Sequence, residues 1–117
     1  MKKLGREFTP EEKRVIKRIR EVIDEVSGEM GIKVDRVILF GSRVRGDYRE
    51  DSDWDILVVV EEEDRKRRDD FWLRVHIKLV NNKINADLIV DNKEDVDEYA
   101  KYFGFVHHHA MKEGVMI

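Results

Sequence analysis

The 117-residue sequence contains no cysteine, a single proline and no long hydrophobic run. The lack of cysteine excludes a disulfide framework and thiolate chemistry, and it favours a cytoplasmic protein. The longest apolar run, Ile56 to Val60, is far shorter than the roughly 20 residues that a membrane helix needs. No apolar segment follows the basic start of the chain, so no secretory signal peptide is expected.

An excess of charge of either sign is also missing. Charged residues make up 42% of the sequence, yet the net charge is only −3. A protein dedicated to coating nucleic acid would be strongly basic, so direct nucleic-acid binding is not expected. The basic run Arg65 to Arg68 is bracketed by aspartates and is interpreted as a solvated loop or first helical turn. The length predicts a single domain over residues 1–117.

The hydrophobic pattern predicts an α/β (α+β) fold with the order helix, strand, turn, strand, helix, strand, helix. Thr9-Pro10-Glu11-Glu12 has the features of a capped helix start, and the helix is expected to end near Gly28. The sheet should be mixed, with three to four strands flanked by helices. The predicted strands cover residues 34–40, 53–60 and 84–90, the later helices cover roughly 71–80 and 94–112, and residues 115–117 can add a short edge strand.

The most informative stretch lies between two of these predicted strands. Gly41-Ser42 follows the first strand, and Asp53-Trp54-Asp55 opens the second. Side chains at positions i and i+2 of a strand point to the same face. Asp53 and Asp55 are therefore predicted to present two carboxylates side by side.

A third carboxylate lies in the next predicted strand. Asp87 is flanked by apolar residues, where a charge is costly unless it is paired or bound to a cation. If this strand neighbours the one that carries Asp53 and Asp55, the three side chains come together. Oxygen ligands without His or Cys suit Mg²⁺ or Mn²⁺, and a divalent ion removes the repulsion among the carboxylates.

The turn supplies groups that favour phosphate. Gly41 permits a positive φ and a close approach of the backbone, and Ser42 offers a hydroxyl and the N–H of a helix start. Arg43 and Arg45 add cationic donors for a triphosphate such as that of ATP. The chemistry that fits is in-line attack by a hydroxyl on the α-phosphate with two metal ions, and Asp87 would orient or deprotonate the attacking group.

Two other binding motifs have the right spacing in this sequence but lack a required residue. The spacing from Asp51 to Glu62 imitates a calcium-binding loop, but Ile56 stands where that loop needs glycine. The spacing from Gly41 to Gly46 is that of a P-loop, but Asp47-Tyr48 replaces the required Lys-Ser/Thr. Neither a calcium loop nor a P-loop is predicted.

Histidines and aromatic residues near the end of the chain have ordinary structural explanations. Consecutive residues of a helix point about 100° apart, so His107, His108 and His109 cannot converge on one metal ion. Trp72 is predicted to lie in the core. A core or interface role is also predicted for the aromatic residues Tyr99, Tyr102, Phe103 and Phe105, together with Val106.

The combined pattern resembles the nucleotidyltransferase superfamily built around the polymerase-β palm. Its signature is Gly-Ser, ten residues, Asp-x-Asp and a later strand Asp, which match Gly41-Ser42, Asp53-x-Asp55 and Asp87. The resemblance covers roughly residues 9–117 and is strongest to the minimal members, the MNT proteins. Trp54 departs from the small aliphatic residue that is usual at its position. The resemblance implies a palm-like fold, with Asp53, Asp55 and Asp87 as catalytic and metal-binding residues and Gly41, Ser42, Arg43 and Arg45 as nucleotide-binding residues.

The resemblance also implies a partner. Minimal members act with a small helical HEPN protein, an RNase toxin, and serve as its antitoxin by transferring AMP from ATP to a tyrosine hydroxyl with release of pyrophosphate. Two other functions remain open from the residues alone. The protein could be a non-catalytic binding module that neutralises its partner by contact, or an enzyme with a small-molecule acceptor, such as an aminoglycoside adenylyltransferase or a metal-dependent glycosyltransferase.

Overall fold

The structure, a computed structural model, describes residues 7–99, 101 and 106–117, without the side chains of Tyr99, Val106, His107, His109 and Met111. Helices and strands alternate along most of the chain. In chain order they are α1 (Pro10–Met30), β1 (Lys33–Phe40), α2 (Ser42–Arg45), β2 (Trp54–Glu61), α3 (Arg65–Asn81), β3 (Ala86–Asn92), α4 (Lys93–Tyr99), α5 (Val106–Glu113) and β4 (Val115–Met116).

The four strands form one mixed sheet in the order β3-β2-β1-β4. Strand β2 is antiparallel to β1 and parallel to β3, and β4 is antiparallel to β1. The predicted mixed α/β architecture and the short edge strand are both confirmed. The last residue of β1 and the first residues of β2 and β3 lie side by side, so these strand termini meet at one end of the sheet.

Helix α1 begins with the predicted capping box. The Thr9 hydroxyl accepts a hydrogen bond from the Glu12 backbone N–H at 3.1 Å, and the Glu12 carboxylate accepts one from the Thr9 N–H at 2.7 Å. The helix ends at Met30, two residues beyond the predicted end near residue 28. Gly31 terminates it in the left-handed conformation (φ 64°), and its N–H donates to the Ser27 carbonyl, whereas Gly28 is accommodated inside the helix.

The sheet is covered on both faces, and this explains the uninterrupted apolar run of β2. On one face, α1 and α3 pack against alternate residues of β1 and β2, including Leu39, Ile56 and Val58. On the other face, Leu57 and Val59 pack with Val96 of α4 and Ala110 of α5. The second apolar layer is the smaller of the two.

Two predicted elements differ from the structure. Strand β3 begins at Ala86, because Lys83 (φ 60°) and Ile84 form the turn after α3; Asp87 is thus an exposed residue near the strand start, not in its middle. The predicted helix over 94–112 is two helices, α4 and α5, and the Lys101 N–H closes a turn onto the Glu98 carbonyl. Tyr102, Phe103 and Phe105 lie outside the described residues. In the described part of the chain, no helix combines the length and apolar character of a membrane span.

Candidate active site

The Gly41 turn connects β1 to α2 in a conformation that requires glycine. Gly41 has φ 76° and ψ −160°, a region that residues with a side chain rarely adopt. Its carbonyl accepts hydrogen bonds from the N–H groups of Val44 and Arg45 at 3.1 and 3.0 Å, which starts the single turn of α2. The positive φ predicted for Gly41 is therefore confirmed.

Asp55 lies directly beside this turn. It is the second residue of β2, and it pairs with Phe40 of β1 on one side and with Asp87 of β3 on the other. Adjacent strands are separated by about 4.8 Å, so the backbones of Asp55 and Asp87 are immediate neighbours. The predicted meeting of the two carboxylate-bearing strands is found in the structure.

The carboxylates lie beyond the smaller apolar layer of the sheet. Alternate residues of a strand share a face, so Asp55 faces the same side as Leu57 and Val59, which pack against α4 and α5. By the same alternation, Asp87 shares its face with Ile89, which packs against that layer. Both aspartates therefore point to the α4–α5 side of the sheet, at the same end of the strands as the Gly41 turn.

The charges of Asp87 and Asp53 act on Asp55. Burial raises the pKa of Asp55, and the neighbouring charges of Asp87 and then Asp53 raise it further, whereas Arg45 acts in the opposite direction. Asp53 and Asp87 are exposed, and Asp55 is half-buried. Burial and the neighbouring negative charges therefore combine at Asp55 to disfavour its ionised form.

These residues have the chemistry of a site for a hard divalent cation. Three carboxylates supply oxygen ligands, which Mg²⁺ and Mn²⁺ prefer, and a cation would relieve the repulsion that raises the pKa of Asp55. Within the described ranges, however, no three acidic or histidine side chains are grouped closely enough to form a metal site as they stand. The donor set therefore fits a cation by its chemistry but is not a preformed cluster.

Ser42 and Arg45 lie in the short helix α2 that follows Gly41, as the sequence predicted. Ser42 is half-buried at the first position of α2, and its hydroxyl has no hydrogen-bond partner among the residues that the structure describes. Arg45 is about half exposed and forms ion pairs with Glu113 at 3.2 Å and Asp47 at 3.4 Å. Glu113 was missed by sequence reasoning, since only the folding of α5 brings it to Arg45.

Arg43 points elsewhere. Its guanidinium donates hydrogen bonds to the backbone carbonyls of Ser52 and Glu50 and lies over the rings of Tyr48 and Trp54. Trp54 is buried in the core on the α1–α3 face, which is the face opposite Asp55. Arg43, which was predicted to be a cationic donor for a triphosphate, is therefore engaged on the α1–α3 side of the sheet.

A cavity of about 540 Å³ lies on the same side as Arg43. Its lining includes Glu12, Arg43, Tyr48 and Trp54 but none of the three aspartates. The Tyr48 hydroxyl donates to the buried Glu12 carboxylate at 2.5 Å. The sequence did not predict this contact, because Glu12 and Tyr48 lie far apart in the chain and no motif links them.

Other residues considered from the sequence have structural roles. Trp72 is half-buried against the core, as predicted, and its indole N–H donates to the Leu88 carbonyl at 2.7 Å. Arg67 and Arg68 donate to Glu62 and to nearby backbone carbonyls, so part of the basic run is engaged within the protein. His108 is half-buried, and the side chains of His107 and His109 are not among those that the structure describes.

Comparisons with known proteins identify the family and agree with the fold. A family model described as a nucleotidyltransferase domain matches residues 16–107. The crystal structure of a provisionally named nucleotidyltransferase from Sulfolobus solfataricus superposes with a TM-score of 0.52 at 28% identity, covering 97% of this chain and 89% of that chain.

Two proteins of Methanocaldococcus jannaschii, both provisionally named protein adenylyltransferases, are similar over part of their length. One is 50% identical over 48 residues, which is 41% of this chain and 48% of that protein. The other is 44% identical over 43 residues, which is 37% of this chain and 43% of that protein. The matches therefore span less than half of each relative. Because the family model covers most of the sequence, the chain belongs to the nucleotidyltransferase domain family, as the spacing of Gly41, Ser42, Asp53 and Asp55 predicted.

Proposed function

We propose that the protein is a Mg²⁺-dependent nucleotidyltransferase that transfers AMP from ATP to a hydroxyl, namely a tyrosine of a helical HEPN-type RNase toxin for which it is the antitoxin. The observation that carries the proposal is the position of Asp55. Its carboxylate lies against the Gly41 turn, and the charges of Asp53 and Asp87 act on it. Family membership and the similarity to provisionally named protein adenylyltransferases support the same activity.

In the proposed reaction, the acceptor hydroxyl oxygen attacks the α-phosphorus of ATP. The new P–O bond joins AMP to the acceptor, and the bond to the β-phosphate breaks, so that pyrophosphate leaves. Asp87 accepts or orients the hydroxyl proton, because it is the exposed carboxylate closest in register to Asp55. Ser42 and Arg45 hold the triphosphate at the turn.

Asp53 and Asp55, together with Asp87, would hold the divalent ions of this site. Two Mg²⁺ ions, or Mn²⁺ in their place, would supply charge stabilisation for the attacking and leaving oxygens. The carboxylates fit this role because they are hard ligands under mutual repulsion. Without cations, the same repulsion would oppose the approach of an anionic triphosphate.

The helical partner is supported by an exposed apolar surface on α3. Leu73, Ile77 and Val80 are 48%, 48% and 56% exposed, and their spacing of four and three residues places them on one side of the helix. Such a stripe is typical of a helix that packs against another helix. Substitution of Ile77 by Glu should weaken binding of the partner and change the thermal stability little, since Ile77 is about half exposed.

The experiment that tests the function is incubation with Mg²⁺, α-labelled ATP and the protein encoded next to this one, which the proposal expects to be of the HEPN type. Label on a tyrosine of that protein, lost in the variants Asp53→Asn and Asp55→Asn, is the expected result. Tight binding of the partner without label would instead favour an antitoxin that acts by contact alone. Label on an aminoglycoside but not on protein would favour a small-molecule acceptor.

A further inference from the structure

We propose that Arg43 is a positioning residue that fixes the segment leading into Asp53 and does not bind the triphosphate. The proposal rests on the proposed function in so far as Asp53 is a metal-binding residue of the transfer site. It reassigns a residue that the sequence had placed among the nucleotide-binding groups. Three sets of contacts carry it.

The first is a fork of hydrogen bonds to the backbone. The Nε and Nη2 atoms of Arg43 both donate to the Ser52 carbonyl, at 3.1 and 2.9 Å, and Nη2 also donates to the Glu50 carbonyl at 3.1 Å. Bonds from a charged donor are stronger than those between neutral groups. Two of the three bonds end on Ser52, the residue directly before Asp53.

The second set of contacts holds the guanidinium itself. Its central carbon lies 4.3 Å from the ring centroid of Tyr48 and 5.2 Å from that of Trp54, within the range of a cation–π interaction. The Tyr48 hydroxyl is in turn bonded to Glu12 of α1. The guanidinium is thereby tied to the α1–α3 side of the sheet, away from the face of Asp55.

The third set concerns the segment that Arg43 holds. Between α2 and β2, the backbone is stabilised by a turn in which the Ser52 N–H donates to the Arg49 carbonyl and the Arg49 N–H donates to the Ser52 hydroxyl. On the other side of Asp53, the Trp54 N–H donates to the Asn85 carbonyl before β3. Asp53 thus lies between two anchors: Ser52, held by Arg43, and Trp54, held by β3.

Two variants of Arg43 and one control variant in the neighbouring segment test the proposal. Arg43→Lys keeps the positive charge but cannot form the fork, because a lysine ammonium is a single point charge; Arg43→Ala removes both. Arg49→Ala is the matched control, since Arg49 is exposed and contributes only backbone groups to the turn. Circular dichroism confirms that each variant is folded before it is compared.

The principal measurement is hydrogen exchange of the backbone amides in residues 49–54, made without nucleotide or metal. Both Arg43 variants should exchange the Ser52 amide about tenfold faster than the wild type or more, as expected for loss of charged hydrogen bonds, while Arg49→Ala should exchange at the wild-type rate. In the transfer assay, both Arg43 variants should lower kcat and change the KM for ATP by less than about twofold, since ground-state binding of ATP is retained.

The proposal is overturned if Arg43→Lys retains wild-type exchange while either Arg43 variant raises the KM for ATP with kcat unchanged, because that result identifies a triphosphate ligand. It is also overturned if Arg43→Ala leaves the exchange of the segment unchanged. If the wild-type protein transfers no AMP to any acceptor, the proposed function fails, and the exchange measurement alone decides whether Arg43 fixes the segment.

Discussion

A Cβ atom built on Gly41 would lie 1.9 Å from Oδ2 and 2.9 Å from Cγ of Asp55. The side chain of Asp55, on the neighbouring strand, therefore occupies the space that any larger residue at position 41 would need. Since Gly41 also has a positive φ, two independent constraints require glycine at one position. The steric constraint involves the Asp55 carboxylate, which is central to the proposed site.

Gly41→Ala should disable the site and destabilise the fold. The side chain must displace the Asp55 carboxylate, and a misplacement of about 1 Å can lower a rate about 100-fold. The strained backbone should also lower the free energy of unfolding by roughly 1–3 kcal/mol. Labelled AMP transfer and urea denaturation measure the two effects.

The matched control for that variant is Gly28→Ala. Gly28 lies inside α1, and a Cβ there meets nothing within 4 Å, so alanine should raise the free energy of unfolding by about 0.5–1 kcal/mol and leave transfer unchanged. An active Gly41→Ala protein would contradict the assignment of this turn to the site.

The meeting of Gly41 with Asp55 could be predicted from the sequence, but the direction of Arg43 could not. The apolar runs that end at Phe40 and begin at Ile56 fix two adjacent strands, and strand register brings the polar residues at their ends together. Arg43 turns towards carbonyls in an irregular segment whose path has no periodic pattern. Glu113 reaches Arg45 only after α5 has packed on the sheet.

Asp55→Asn should stabilise the metal-free protein at neutral pH. Burial and the charges of Asp87 and Asp53 raise the pKa of Asp55, so the ionised carboxylate costs folding free energy at pH values above that pKa. The amide removes the cost, and the melting temperature should rise by about 3 °C at pH 7. Differential scanning calorimetry in EDTA measures this change.

The sign of the effect can be checked by lowering the pH. As the pH falls through the raised pKa of Asp55 towards the ordinary value of 3.8, the wild-type carboxylate takes up a proton and its cost disappears. The advantage of the asparagine variant should therefore shrink on acidification. Asp51→Asn, at an exposed position nearby, should give no such gain, and a lower melting temperature for Asp55→Asn at pH 7 would refute the argument.

Divalent cations should stabilise the wild-type protein through the same three carboxylates. A ligand present at 100 times its dissociation constant adds about 2.7 kcal/mol to the free energy of unfolding, so saturating Mg²⁺ or Mn²⁺ should raise the melting temperature measurably. The variants Asp53→Asn and Asp87→Asn should lose most of that shift, whereas Asp51→Asn should retain it. An equal shift in all four proteins would mean that the cations act elsewhere.

Glu113→Gln should strengthen the binding of ATP by releasing Arg45. The Glu113 carboxylate lies 3.2 Å from the Arg45 guanidinium and occupies the donor that the proposed function gives to the triphosphate. An exposed ion pair of this kind is worth up to about 1 kcal/mol, so the dissociation constant for ATP should fall by up to about fivefold. Isothermal titration calorimetry with ATP and Mg²⁺ measures it.

A double-mutant cycle separates this effect from a general change of net charge. Glu98→Gln removes one negative charge from an ion pair with Lys101 in another part of the fold and should leave ATP binding unchanged. In an Arg45→Ala background, the gain from Glu113→Gln should vanish, because the guanidinium that it releases is absent. A gain that persists without Arg45 would show that Glu113 opposes ATP by simple repulsion, and Arg45 would then have no place among the triphosphate ligands.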